Sequence, residues 1–338
     1  MSVTISSDHS KKTIDGMKLA AISLGCAKNR IDTEEILGYL AKRGVILTDD
    51  HQHADIIIVN TCGFIEEAQQ ESIDTLLGLT GKHRNHTPII IAAGCLVEVY
   101  GSKIIDSLPE IAGAIGVHSY HHLEQMLDQI LSGQRVVICD TPSSEYSSLA
   151  PRILTTPVHS AAVKIAEGCS NRCHYCRIPS IRGPYRSRPV KEIVSEIESL
   201  INNGTREINL VAQDTTAYGT DSEEFPDLAG LIREILSLKN NFWLRLMYAY
   251  PSRISDHLIE LIVTEKRICK YLDIPIQHAN SRMIQQMGRH YDKGDLVHIV
   301  EKLKSRMPEL ALRTTCMVGF PGETQRQFQE MLNFIQQY

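Results

Sequence analysis

Cys169-Ser-Asn-Arg-Cys173-His-Tyr-Cys176 sets three thiols within eight residues, separated by three residues and then by two. That density suits a loop wrapped around one face of a metal centre better than it suits a packed core. Tetrahedral structural zinc asks for a fourth ligand. No further Cys or His follows at metal-ligand spacing, and His174, wedged between two of the thiols, would strain to join them. A four-iron cube held by three thiolates, with one iron left open to a substrate or cofactor, fits the set better. Three unligated core cysteines are the plain alternative.

A second set is dispersed. Cys26, Cys62 and Cys95 each follow an apolar run that reads as a strand: 18–24, 55–60 and 88–93. In an open parallel sheet the carboxyl ends of the strands share one edge, which is where ligands bind. Cysteines 36 and 33 residues apart in the chain would then meet in space. Free cysteine is often simply a small buried hydrophobe, which explains one such position more easily than three.

The elements that must position these groups alternate throughout. Ile31, Ile36, Leu37 and Leu40 recur at helical spacing up to Gly44, and a helix over about 66–79 follows the second run. Strands at 111–116 and 135–139 flank a helix at 123–131, with Cys139 as a structural residue and His121-His122 as a solvated helix start. Continuous apolar strands alternating with helices predict a parallel α/β sheet. Residues 1–16 lack periodicity and read as a mobile tail, with Met17 as an alternative start, and the Ser/Thr/Pro-rich stretch 140–160 reads as a linker.

Beyond it, strands before Cys169 and at 207–212, 242–247, 269–274 and 311–318 alternate with helices at 190–201, 228–238, 256–264, 281–287, 295–306 and from 325. Five strand–helix units with polar residues at the strand ends predict an open or partial (β/α) barrel whose site lies at the carboxyl face. Arg182, Arg186 and Arg188, on the loop after Cys176, suit the carboxylates of a cofactor or acidic substrate, or a solvated loop equally well. Gly319-Phe-Pro-Gly322-Glu323 closes the last strand, where glycine lets backbone approach a ligand. Cys269 and Cys316 fall within strands and read as core.

The bulk numbers limit the function. At 338 residues the chain has room for two cored domains, and a formal charge of −5 provides no basic field for nucleic acid. No apolar run approaches the roughly 18–20 residues needed to cross a bilayer. Nine cysteines, six of them in metal-type sets, indicate a reducing, cytoplasmic setting.

With an aromatic before its last Cys, the 169–176 loop resembles the signature of radical S-adenosylmethionine (SAM) enzymes. Together with the three dispersed cysteines it resembles the methylthiotransferases. Ser23-Leu-Gly-Cys-Ala-Lys-Asn29, Asn60-Thr-Cys-Gly-Phe-Ile-Glu-Glu67, Ala212-Gln-Asp-Thr-Thr216, Tyr248-Ala-Tyr-Pro251 and Asp273-Ile-Pro-Ile-Gln-His278 are similar to the ribosomal-protein branch. The branch acting on tRNA adenosine, with Gly-Gln-Asn-Val in place of Ala-Gln-Asp-Thr, is the alternative, and an inactive cluster-binding fragment is another.

The resemblance covers residues 17–338 and implies a 17–139 domain holding an auxiliary cluster through Cys26, Cys62 and Cys95. It implies a 161–338 radical SAM core holding the second cluster through Cys169, Cys173 and Cys176. Both clusters would be [4Fe–4S], with SAM as cosubstrate and Tyr175, Arg188, Asp214, Gly319, Gly322 and Glu323 as candidate contacts. No side chain is required as a nucleophile. The implied substrate is an aspartate β-carbon of the twelfth small-subunit ribosomal protein, and the implied electron donor is of flavodoxin or ferredoxin type, while the sulfur donor is unspecified. Family members continue into a further barrel strand and a small β-barrel (TRAM) domain. The sequence stops short of these at Tyr338, which predicts weak modification of the ribosomal substrate by this chain alone.

Overall fold

A computed structural model describes residues 13–80, 87–142 and 152–338. Most of the expected tail and the centre of the expected linker lie outside the described residues. Two compact units are present: the described residues up to Thr141 with 152–153, and Pro142 with Leu154–Tyr338.

In the first unit six strands run in parallel: β1 (Lys18–Ser23), β2 (Ile46–Leu47), β3 (Ile56–Thr61), β4 (Ile89–Gly94), β5 (Ile111–Ile115) and β6 (Val136–Ile138), in the order β2-β1-β3-β4-β5-β6. The period of two in a strand decides which residues meet which layer. Ile56 and Ile58 join one core with Leu19, Ile36, Leu40 and Leu127, while Ile57 and Val59 join another with Leu76, Leu96 and Ile105. Helices α1 (Ala27–Ala41) and α5 (Leu123–Leu131) therefore cover one face. The other face is covered by α2 (Glu66–Thr80), α3 (Cys95–Tyr100) and α4 (Lys103–Ser107). Strands apolar on both faces are what a sheet sandwiched between helices requires. The two-residue β2 is too short for its pattern to register in sequence.

The second unit has a five-stranded parallel sheet in the order β13-β12-β11-β10-β7: β7 (Ser160–Lys164), β10 (Glu207–Val211), β11 (Trp243–Leu246), β12 (Ile268–Asp273) and β13 (Ala311–Arg313). Between the first two lie β8 (Ala166–Glu167) and β9 (Arg186–Ser187), a short antiparallel pair, and α6 (Ile178–Arg182). The helices are α7 (Val190–Asn202), α8 (Leu228–Leu236), α9 (Asp256–Thr264), α10 (Ser281–Gln286), α11 (Lys293–Arg306) and α12 (Gln325–Gln337).

Ile208, Leu210, Leu244, Leu246 and Leu272 are buried in one core with Ile197, Ile232, Ile262 and Leu303 of the helices. The alternate residues Glu207, Asn209, Arg245 and Tyr271 are only half-buried. This is the one-sided pattern of an open (β/α) barrel with a polar inner face. One boundary needs correction: the strand expected over 311–318 stops at Arg313, and Cys316 pairs with Gln277 only as an isolated bridge. Regular pairing ends at Asp273↔Arg313, and the bridge beyond it falls where Gln277 holds a positive φ (65°).

Candidate functional site

The dispersed triad is assembled by sheet order. β1, β3 and β4 are adjacent, in the register Ser23↔Asn60 and Thr61↔Gly94, so the segments bearing Cys26, Cys62 and Cys95 leave the same edge side by side. Cys62 and Cys95 come directly after their strands, whereas Cys26 lies three residues past β1, at the start of α1. Gly25 makes that detour possible. Its φ is +84°, and a Cβ there would lie 2.8 Å from the Cys62 Cβ and 2.9 Å from its Sγ. Any side chain would collide with a ligand sulfur.

Two asparagines fasten the three segments. Asn29 Nδ2 donates to the carbonyls of Leu24 (3.0 Å) and Thr61 (2.9 Å), and its Oδ1 lies 3.5 Å from Cys95 Sγ. Asn60 Nδ2 donates to the Asn29 carbonyl (2.7 Å) and to Thr33 Oγ1 (3.0 Å). Behind Cys62, its N–H donates to Ser72 Oγ at 2.9 Å. Both asparagines are fully buried, where unpaired amides would be costly. Their family wording is visible in the sequence, but their role as clasps is not.

The compact triad is held by contacts from far along the chain. Gly168 (φ +74°) turns the chain into Cys169, whose N–H donates to the Gly183 carbonyl at 3.1 Å. His174 faces away from the thiols: its N–H donates to the Met287 carbonyl (3.0 Å), and Nδ1 lies 2.8 Å from the Gln286 carbonyl. Arg289 donates to Tyr175 Oη (2.9 Å) and to the Pro275 carbonyl (2.8 Å), its guanidinium lying over the rings of Tyr250 and Tyr291. Burial pushes the Cys176 thiol up to about 11 and that of Cys169 upward. Metal binding there must displace protons.

The other expected contacts are spread among scaffolding roles. Asp214 is buried and accepts from Asn171 Nδ2 (2.9 Å), Arg253 Nη1 (2.6 Å) and Thr216 Oγ1 (2.6 Å), a knot that also clamps the cysteine loop through Asn171. Arg188 is buried against Glu192 and Glu196 of α7 and donates to the Lys164 carbonyl. Arg182 is buried on Glu167 at 2.9 Å, and Arg186 donates to the Arg182 carbonyl, so this is no solvated arginine loop. Burial opposes ionisation of Glu167, but Arg182 and Lys164 hold its carboxyl well below the usual range.

At the end of β13, Glu323 accepts from the Gly319 N–H and lies 3.1 Å from His278 Nε2. Because Asn280 N–H donates to His278 Nδ1 at 2.9 Å, the neutral ring carries its proton on Nε2 and donates it to Glu323. Gly319 (φ +73°) and Gly322 (φ +87°) have open space where a Cβ would sit, so backbone conformation rather than crowding demands glycine. Two non-glycine residues at strand ends, Tyr248 (φ 58°) and Gln277 (φ 65°), also hold left-handed backbone. Strain of that kind collects around binding sites, and no local sequence signal marks it.

The donor sets fit iron–sulfur clusters. All nine cysteines lie outside disulfides, each triad offers three thiols at a sheet's carboxyl edge, and Cys62, Cys95 and Cys169 are buried from water. A lone zinc with Zn–S bonds of about 2.3 Å would draw its thiolates to within about 4 Å of one another. Among the described residues neither triad is gathered within 4.8 Å. A cube, with its sulfurs attached to three different irons, needs the wider spacing.

Comparison with known proteins agrees with these donor sets. Residues 163–335 match the radical SAM superfamily, and residues 18–116 match the uncharacterized protein family UPF0004. The ribosomal protein uS12 methylthiotransferase RimO of Pelotomaculum thermopropionicum is 44% identical over 321 residues, 95% of this chain and 72% of that protein. Its namesake from Geotalea uraniireducens is 43% identical over 322 residues, with the same coverage. The radical SAM methyltransferase TsrM from Kitasatospora setae, solved with cobalamin and a [4Fe–4S] cluster, superposes with a TM-score of 0.69 at 14% identity, covering 95% of this chain and 73% of that one. The cobalamin-dependent radical SAM enzyme OxsB superposes with a TM-score of 0.61 at 12% identity, covering 95% and 52%. At such identities these two speak to the fold.

Proposed function

The chain belongs to the radical SAM family of ribosomal protein uS12 methylthiotransferases, and from that premise we propose that it adds a methylthio group to an aspartate β-carbon of uS12. The observation that carries this reading is the presence of two separate triads of cysteines outside disulfides, each at the carboxyl edge of its own parallel sheet. Cys169, Cys173 and Cys176 would hold one [4Fe–4S] cluster and Cys26, Cys62 and Cys95 the other. When bound, the clusters and SAM supply radical chemistry at an unactivated carbon and the sulfur-bearing group that is transferred.

The chain's own residues bind, orient and shield. Asn29 and Asn60 fix the three loops of the first triad, while Arg289, Asn171 and Asp214 fix the single loop of the second. Arg289 holds Tyr175 in place, and the His278–Glu323 pair closes the Gly319–Gly322 turn. That turn has its Gly319 N–H engaged by Glu323, which fixes the loop's shape for close backbone approach to a cofactor. Arg188 contributes by anchoring the strand after the cysteine loop to α7. Burial of Cys62, Cys95 and Cys169, with Cys26 exposed, shields the centres from water in part.

Among the described residues no helix is long and apolar enough to cross a membrane. A ribosomal-protein substrate favours a cytoplasmic setting, and the proposed electron donor is a flavodoxin- or ferredoxin-type reductant. Anaerobically reconstituted protein, reductant, SAM and uS12 are the test. Mass spectrometry should find one methylthio group on a uS12 aspartate. A methylthio product on tRNA adenosine alone would replace the substrate, and no methylthio product on either would remove the activity.

A further inference from the structure

His121, His122 and Asp140 take no part in either thiolate site, yet they converge. Among the described residues they are the group of three His, Cys, Asp or Glu side chains whose ligand atoms all lie within 4.8 Å of one another. Nε2 of His122 is 3.4 Å and Nε2 of His121 is 3.8 Å from Asp140 Oδ2. The two rings stack loosely, with centroids 4.0 Å apart and planes tilted by 43°. Bonds of about 2.0–2.2 Å from a tetrahedral ion to nitrogen and oxygen place two ligand atoms about 3.4 Å apart. The observed separations therefore need little adjustment to share one ion.

The carboxylate is the second indication. Asp140 Oδ2 is shielded from water and, among the described residues, has no hydrogen-bond donor. A buried carboxylate oxygen without a donor is costly, and a cation held between it and the two imidazoles would supply the missing partner.

The arrangement is also built in advance by the backbone. Asp140 N–H donates to Ser119 Oγ (2.7 Å), His122 N–H to the Ser119 carbonyl (2.8 Å), and Gly116 N–H to the Ile138 carbonyl (2.9 Å). Buried Ser119 thus ties the turn after β5 to the end of β6, and Tyr120 Oη anchors the turn to Asn60 Oδ1 at 3.4 Å. The neighbouring thiol of Cys139 turns towards the Val97 carbonyl (3.8 Å), away from the group.

We propose that His121, His122 and Asp140 bind one divalent transition-metal ion of the zinc class, separately from the six cysteines. Two imidazoles and one carboxylate select such ions over magnesium or calcium, which prefer all-oxygen sets, and over the softer ions that thiolates take. Partial exposure of all three side chains lets the ion enter from solvent and leaves its remaining position to water.

The test uses cluster-loaded protein dialysed anaerobically against zinc sulfate at low-micromolar free zinc, with zinc and iron counted per chain. One zinc per chain should bind beyond the amount held by the His121→Ala/His122→Ala variant, at unchanged iron. Asp140→Asn, which keeps the side chain's shape, should weaken zinc binding at least about tenfold. Equal zinc in wild type and the double variant overturns the proposal. If the double variant also loses iron, Asp140→Asn decides, and wild-type zinc affinity in that variant overturns it. Zinc should raise the melting temperature of the wild type and leave that of the double variant unmoved.

Discussion

The two cysteine triads offer the same donors but are built in opposite ways. Cys169, Cys173 and Cys176 sit on one loop, and its neighbours in sequence already bring the thiols together. Cys26, Cys62 and Cys95 come from three strands and meet only because β1, β3 and β4 are adjacent and parallel. The first kind of site needs distant residues to aim a loop that is already closed. The second needs the whole sheet before it exists, so its weak points are packing positions with no donor atom.

The largest expected effects separate the triads by function. Replacing Cys169, Cys173 and Cys176 with Ala should remove about half of the roughly eight irons per chain and abolish SAM cleavage. Replacing Cys26, Cys62 and Cys95 should remove a similar share yet leave SAM cleavage to 5′-deoxyadenosine, with methylthio transfer lost. Iron analysis and product chromatography read both, and full iron in either variant would refute that ligand set.

The comparison sharpens with a residue that donates nothing. Gly25→Ala places a Cβ 2.9 Å from Cys62 Sγ at a φ of +84°, costing more than about 1 kcal/mol. If that cost falls on the site, methylthio transfer should fall at least about fivefold, since each 1.4 kcal/mol is a decade, while SAM cleavage persists. Equal loss of both activities would mean the sites are not built independently.

Smaller effects come from the clasps. Asn29→Ala strands the buried carbonyl of Thr61 and frees that of Leu24, at a cost of about 1–3 kcal/mol, and iron should leave the first site preferentially under chelator challenge. Arg289→Met should act on the other triad, loosening the Tyr175 loop and raising the SAM concentration needed for cleavage several-fold, with the first site's iron retained. The smallest change in chemistry is expected for Arg188→Met. Its partners are Glu192 and Glu196, so the melting temperature should drop while SAM affinity stays within about twofold. A large SAM defect at normal stability would make Arg188 a direct contact after all.

Much of this architecture is local and was legible from residues alone. Uninterrupted Ile and Val runs mark β3 and β4 as strands buried on both faces, because no other element of that length is apolar on every side. The compact triad was equally legible, since eight residues of loop cannot carry their thiols far apart. The starts of α9 and α12 are fixed by Ser255 and Thr324, whose side chains accept from the Leu258 and Gln327 N–H groups.

Tertiary structure alone decided which distant groups meet. Arg289 reaches Tyr175 across 114 residues, and Asn29 reaches Thr61 across 32, pairings that no periodicity encodes. The buried partners of Arg182 and Arg188 made part of the scaffold out of a loop that reads as a carboxylate contact or, nearly as well, as solvated, because a charge taken out of water must find its counter-charge there. His121 and His122 read as a helix start, and only the pairing of β5 with β6 brings Asp140 to them. Sequence determined what each segment could become, since strand and helix patterns are set by neighbours a few residues away. Which side chains face one another was set by sheet order and register, which depend on the whole chain folding at once.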